Sequence, residues 1–420
     1  MVLLSGTDDD HGGGRRTPYA ERVDCVPTMT ANAVVSPLPS QDGPATTEGP
    51  VAAMVRLVRE SFALVEPRAD KVAELFYATL FSIAPATREM FPVNMEVQRS
   101  RLLRALVHIV QMVDRPDDLM PFLRQLGRDH RKFGVMTQHY EAVGMALLAA
   151  VKAQAGPAWT EEVERAWAEA YTIMARAMLE AANSEDGPAW WNGTVVERHR
   201  LARDLAVVRV RPDYPVPYQP GQYVSVEVPQ RPRMWRYFTP ATAPREDGLL
   251  EFHIRAVEGG WVSRAVVGHG EIGDVWRIGP PMGRLAVNRE SGRDILMIAG
   301  GTGVAPMRSI IDYLSQWGDN PRVQLFFGGR VRPDLYDLEN LQAVAASNPW
   351  LHVVPVLESE SPLPNAERGT LADVVTRYGA WPDHDVLVSG SPGMVRSTVS
   401  RMLVAGTSLD RIIYDPFTVD

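Results

Sequence analysis

Apolar residues recur at helical spacing from Met54 to Ala182, and after that at every second position. Met54, Leu57, Val58 and Phe62 share one face, broken by Pro67; Val72, Leu75, Phe76, Thr79 and Leu80 share the next, which stops near Pro85. Leu102, Leu103, Leu106, Ile109 and Val110 predict a further helix. Trp167, Tyr171, Met174 and Met178 predict the last one, within 159–182. No strand pattern intervenes, so this part reads as an all-helical unit. The Ser184-Glu185-Asp186-Gly187-Pro188 cluster marks a boundary. Beyond it Val195, 207–210, 223–228 and 250–254 read as strands separated by Gly and Pro, a small antiparallel barrel. From Asp294 strands over 295–299, 323–327, 353–357 and 385–389 alternate with helices over 306–317, 337–346, 370–378 and 392–405. That alternation predicts a parallel, doubly wound sheet.

The expected organisation is multidomain: an extension over 1–50, rich in Gly, Pro, Ser, Thr and Asp and read as disordered; an all-α unit over 51–186; an antiparallel β-barrel over 187–290; and an α/β domain over 291–420. The chain of 420 residues carries a net charge of −8. Neither nucleic acid nor an anionic membrane surface is favoured by that balance. Cys25 is the one cysteine, which excludes an intramolecular disulfide, a thiolate zinc cluster and a cysteine-ligated iron–sulfur centre, and fits a cytoplasmic setting. No apolar run is long enough to span a membrane, and the opening MVLLSGTDDDHGGGRR makes a poor signal peptide.

The chemistry begins at Leu119–Tyr140. On a helix, Leu119, Leu123, Leu126 and His130 form one stripe, while Arg124, Gln125, Arg128 and Asp129 point elsewhere. Tyr140 then opens a second helix, with Val143, Gly144, Leu147 and Val151 on its stripe. An imidazole ending an apolar stripe needs a partner. One reading is a core histidine bonded to a carbonyl; the other is an axial ligand to haem iron, its second ring nitrogen held by a neighbour.

Residues 54–184, with this His130…Tyr140 spacing, resemble the globin domain of the bacterial flavohaemoglobins, and the rest of the chain resembles their reductase half. The resemblance implies haem b held by the metal ligand His130, with Tyr140 beside it. In FYATLFSIAPATREMF it implies that Tyr77 is a distal hydrogen-bond donor and Phe91 a haem-packing ring, with Leu106 an apolar lid over the iron. The family's distal glutamine falls at Arg101 or Leu102, and its proximal glutamate at Ser184, where the carboxylate is missing.

Arg236-Tyr237-Phe238-Thr239 is similar to the Arg-x-Tyr-Ser/Thr flavin motif. Arg236 would hold the FAD pyrophosphate and Thr239 the isoalloxazine edge, while Phe238 replaces the tyrosine and loses its hydrogen bond. Glu258-Gly259-Gly260-Trp261-Val262-Ser263 resembles the second flavin motif, with Gly260, Val262 and Ser263 at a helix start that receives phosphate. Phe417, in Tyr414-Asp415-Pro416-Phe417, stands where the family covers the flavin face with an aromatic ring. Gly300-Gly301-Thr302-Gly303-Val304-Ala305-Pro306 resembles the superfamily's nicotinamide-cofactor turn, a strand, a glycine turn and a proline-started helix. Ser389, in Ser389-Gly390-Ser391-Pro392, replaces the usual cysteine beside the nicotinamide. For the adenosine end two readings stay open: Arg330 and Arg332 suit the extra phosphate of NADPH, whereas Asp334 in Asp334-Leu335-Tyr336 resembles NADH users, the expected preference.

The resemblance implies an oxidoreductase passing electrons from NAD(P)H through FAD to haem. Its family chemistry is nitric oxide dioxygenation, with O2 and NO as small-molecule partners. Two rivals remain on the same frame: electron transfer with another donor or acceptor, and a haem-based gas or redox sensor. Protein partners are not legible.

Overall fold

The computed structural model describes residues 49–359, 363 and 365–415. Residues 1–48, with Cys25 and nearly all of the expected extension, and Phe417, the expected aromatic cover, lie outside the described residues.

Six helices form the first body: α1 (Pro50–Val65), α2 (Ala69–Ile83), α3 (Glu96–Met112), α4 (Pro116–His130), α5 (Thr137–Ala155) and α6 (Glu161–Asn183). Their starts follow local chemistry. Pro50 and Pro116 occupy the first turns of α1 and α4, where an amide donor has no intrahelical acceptor. The Thr160 hydroxyl caps α6 by accepting from the Val163 amide, and Glu161, Glu162 and Glu164 sit on the positive end of its dipole. Helix α3 begins at Glu96, six residues before the first apolar residue of its predicted stripe, because its opening turns are polar. Pro121 costs α4 one backbone hydrogen bond without ending it. The core joins Val58, Phe62, Phe76, Leu80, Ala146, Val151 and Trp167, and the Trp167 indole donates to the Ser61 hydroxyl at 2.9 Å.

At Trp191 the chain enters a six-stranded antiparallel sheet. Its strands are β1 (Trp191–Ala202), β2 (Leu205–Pro212), β3 (Tyr223–Glu227), β4 (Arg236–Phe238), β5 (Leu250–Arg255) and β6 (Val275–Met282), with α7 (Trp261–His269) between the last two. Spatial order is β4-β3-β6-β1-β2-β5. A parallel six-stranded sheet follows, built from β7 (Asp294–Gly300), β8 (Val323–Gly329), β9 (Leu351–Leu357), β10 (Glu367–Arg368), β11 (His384–Ser389) and β12 (Ile412–Tyr414). The crossings include α8 (Val304–Leu314), α9 (Leu338–Ser347), α10 (Leu371–Arg377) and α11 (Pro392–Val404). Its order, β10-β9-β8-β7-β11-β12, turns outward in both directions from β7. Strands buried on both faces need near-continuous apolar runs, and Ile295–Ala299 is such a run. Among the described residues no helix is long and apolar enough to cross a membrane.

Candidate functional site

His130 closes α4. Its Nδ1–H donates to the Leu126 carbonyl at 2.7 Å, which leaves the Nε2 lone pair free of any described hydrogen-bond partner. Burial lowers the imidazole pKa and so favours the neutral form, the state that ligates a metal. The carbonyl bond fixes the tautomer, as the second ring nitrogen of a ligating histidine requires. Helix α4 can sit this close to α6 because Gly127 has no side chain: a Cβ there would lie 2.2 Å from the Met178 carbonyl oxygen.

Tyr140 is buried in the first turn of α5, and its carbonyl accepts from the Tyr171 hydroxyl at 2.5 Å. Ser184 sits exposed at the end of α6 with its hydroxyl bonded to Ala181, while Glu185 pairs with Arg128 at 2.5 Å. Among the described residues no carboxylate is hydrogen-bonded to His130. Its Nδ1 partner is a neutral carbonyl.

Tyr77, 6% exposed, stands in an aromatic cluster with Phe76, Phe81 and Phe91, at centroid distances of 4.9, 5.8 and 5.4 Å. Burial pushes its phenol pKa well up, so the phenol keeps its proton and can donate. Its present acceptor, the Gln98 carbonyl, is 3.4 Å away, a long bond that a better acceptor would displace. Leu102 and Leu106, one turn apart on α3, pack in the same apolar cluster as Tyr77 and Phe91. Arg101 is half-buried, and its charge acts on both the Tyr77 phenol and Lys132. The apolar face of α3 therefore carries Leu102, with Arg101 beside it.

In the second body Arg236 and Phe238 lie on β4, opposite Val226 and Val224 of β3, and Phe238 packs on Phe252 at 6.3 Å. Thr239 follows, half-buried. Gly259, at φ 73°, turns the chain into Gly260, which caps α7. Val262 anchors that helix in the core, and Ser263 bonds back to the Gly260 carbonyl at 3.4 Å. The first amides of α7 thus point outward without a side-chain cap, as an anion site requires.

In the third body Gly300 ends β7, and Gly301 (φ 54°), Thr302 and Gly303 make the turn into α8. A Cβ on Gly303 would lie 2.5 Å from the Ser389 carbonyl oxygen, so the turn closes directly onto the end of β11. Ser389 pairs with Ala299 across β7 and β11. This is the crevice where strand order reverses, the place where open α/β sheets bind nucleotides. Pro306 does not start α8 as expected. It is the third helical residue, still within the turn whose amides lack acceptors. Arg330 and Arg332 are exposed, and among the described residues neither guanidinium has a partner. Asp334 is committed elsewhere: its Oδ2 accepts from the Arg330 and Val331 amides at 3.0 and 3.2 Å, and its Oδ1 pairs with Arg255 at 3.2 Å.

Three family models match in this order: globin over 74–178, the oxidoreductase FAD-binding domain over 192–287 and the oxidoreductase NAD-binding domain over 297–400. A flavohemoprotein of Bordetella parapertussis is 29% identical over 322 residues, covering 70% of this chain and 78% of that protein. These modules, in this order, make the architecture of a flavohaemoglobin. The crystal structure of a flavohemoglobin from Malassezia yamatoensis, with bound FAD and heme, shares this fold: TM-score 0.74, 17% identity, 86% of this chain and 98% of that one. The reductase half is also similar to the xylene/toluene monooxygenase electron transfer component XylA of Pseudomonas putida, at 29% identity over 228 residues, 53% of this chain and 64% of that protein. The chain is a flavohaemoglobin-type oxidoreductase whose modules bind haem, FAD and NAD, in an electron chain from NAD(P)H through FAD to haem.

Two clusters escaped the sequence reading. One joins the flavin and nicotinamide modules. Glu251 of β5, with its side chain 7% exposed, accepts from Arg209 Nε at 2.8 Å and from Arg308 Nη1 of α8 at 3.0 Å. His253 Nε2 lies 3.1 Å from Glu251, and its Nδ1 lies 2.8 Å from the Tyr336 hydroxyl. Burial pushes the Glu251 carboxyl up, but the His253 imidazole and the Arg209 and Arg308 guanidinium groups outweigh it and hold the pKa at about 2. The other cluster, around Lys132, joins the globin and flavin modules. Single charged residues scattered over distant strands leave no motif, and the burial of Lys132, directly after the His130 helix, shows only in the fold.

Proposed function

We propose that this protein is a nitric oxide dioxygenase, turning two NO and two O2 into two nitrate ions at the expense of one NAD(P)H, with release of one proton. Bound haem would supply the iron at which the gases react, FAD would split the hydride pair into single electrons, and NAD(P)H would supply that hydride. The chain's own groups have defined tasks. His130 offers a neutral Nε2 to the iron while its Nδ1–H stays on Leu126. Tyr77 donates a hydrogen bond to negative charge developing on a distal ligand, in a pocket made dry by Phe91, Leu102 and Leu106. Arg236 and the α7 amides hold FAD, and the Gly300–Gly303 turn with the α8 start holds the dinucleotide phosphates.

The observation that carries this reading is the buried Tyr77 hydroxyl, protonated and only weakly engaged. The test is NO consumption by purified protein in aerated NAD(P)H, with nitrate measured as product. NO loss that needs both O2 and NAD(P)H supports the reading; undiminished NO in the presence of reduced haem removes it. The likeness to XylA, and the apolar Leu102 packed in the cluster with Tyr77, favour a second reading: the same modules exchange electrons with another partner. The reaction belongs in the cytoplasm, where reducing conditions suit a chain with one cysteine.

A further inference from the structure

We infer that Lys132 is an interdomain positioning residue: caged between Asp129 and the rings of Phe133, Trp235 and Tyr237, it docks the globin module on the flavin strand and keeps a Trp235–Phe133–His130 ring contact intact for electron crossing. The inference rests on His130 being the axial ligand. Lys132 is 4% exposed, unusual for an ammonium. Its Nζ pairs with Asp129 Oδ1 at 2.5 Å and lies 5.2 Å from the centre of the Phe133 ring, 5.5 Å from Trp235 and 5.3 Å from Tyr237. Asp129 and Phe133 belong to the globin module, while Trp235 and Tyr237 flank Arg236 at the flavin-motif strand β4. One cation thus touches aromatic faces from both modules, and a desolvated ammonium gains most from such faces.

The same residues line up a path. Trp235 meets Phe133 edge-on at 6.3 Å, and Phe133 meets the His130 ring edge-on at 5.8 Å. Arg233 adds a second tie, reaching the Phe91 carbonyl at 3.5 Å. A salt bridge serving α4 alone would need Asp129 and no ring from β4. Each crossing moves one electron from reduced flavin to ferric iron, giving ferrous iron. One hydride from NAD(P)H serves two crossings, and one proton is released to water.

The test uses the full-length holoenzyme, with hydrogen exchange at 131–134 and 233–237 and stopped-flow reduction by NAD(P)H. Lys132→Met keeps most of the length of the side chain and removes the charge. It should raise exchange in both segments and slow haem reduction roughly tenfold, with haem content and flavin reduction unchanged. Lys132→Arg, which retains a cation over the rings, should restore protection and rate. Trp235→Leu, on the other module, should reproduce the loss of protection even where Lys132→Met fails to fold. Unchanged protection and haem-reduction rate in Lys132→Met, or in Trp235→Leu, would overturn the inference. Exchange is read without haem chemistry, so a normal haem band in His130→Ala would defeat the axial-ligand reading and leave the docking result standing.

Discussion

Glu251→Gln should loosen the joint between the flavin and nicotinamide modules. The amide keeps the shape of the side chain but removes the anion that Arg209 and Arg308 share. In the folded protein the carboxyl pKa falls from 4.5 to about 2. At 1.36 kcal/mol per unit that shift corresponds to about 3 kcal/mol of stability at neutral pH. A charge-assisted hydrogen bond is worth roughly 1.5–3 kcal/mol, so two of them give the same order. The folded pKa lies below the unfolded one, so the stabilisation is complete above the unfolded value of 4.5 and is lost as pH falls towards 2. The assay is urea unfolding of wild type and variant, followed by the rise in flavin fluorescence as FAD is released. The stability difference should be about 3 kcal/mol at neutral pH and narrow to about 1.5 kcal/mol near pH 3. A difference that stays constant over that range, or that is below about 1 kcal/mol at neutral pH, would refute the assigned charge state.

Other sites have separate readouts. His130→Ala should abolish stable haem binding while flavin stays bound, because the sites belong to different modules; a normal Soret band in the variant would end the ligand assignment. Tyr77→Phe should cost roughly 1–3 kcal/mol of distal stabilisation, a tenfold or larger rise in the oxygen off-rate; an unchanged off-rate would remove Tyr77 from the distal role. Arg236→Ala should release FAD on dilution and gel filtration, and retained flavin would contradict that contact. Arg330→Ala and Arg332→Ala should raise the KM for NADPH roughly tenfold, the scale of a lost charge-assisted contact, and barely change it for NADH; equal effects on both donors would place these residues outside the cofactor site.

The architecture was legible because burial imposes period on sequence. The change in spacing after the cluster at 184–188 matches the passage from α6 to β1. The run over 295–299 reads as a strand buried on both faces, and β7 is one. Edges were less legible where polarity and structure part company. The first turns of α3 are polar, so the apolar stripe began late. Pro306 suggested a helix start, yet the glycine turn ends early enough for α8 to begin two residues before it. At the site, glycine turns show in sequence because close backbone approach demands them, as Gly303 does against Ser389. The structural task of Asp334 was not legible, because its oxygens are taken by two amides and Arg255, the last of these from another module. Lys132 and Glu251 were illegible for the same reason: their partners are far away in sequence and meet them only across a module boundary.

The most direct test of the electron chain is anaerobic stopped-flow mixing of the holoenzyme with NADH, with flavin and haem absorbance followed together. The flavin band should bleach first, and the ferrous haem spectrum should follow at a rate independent of protein concentration, as transfer within one chain requires. A flavin that is fully reduced while the haem stays ferric would contradict the account.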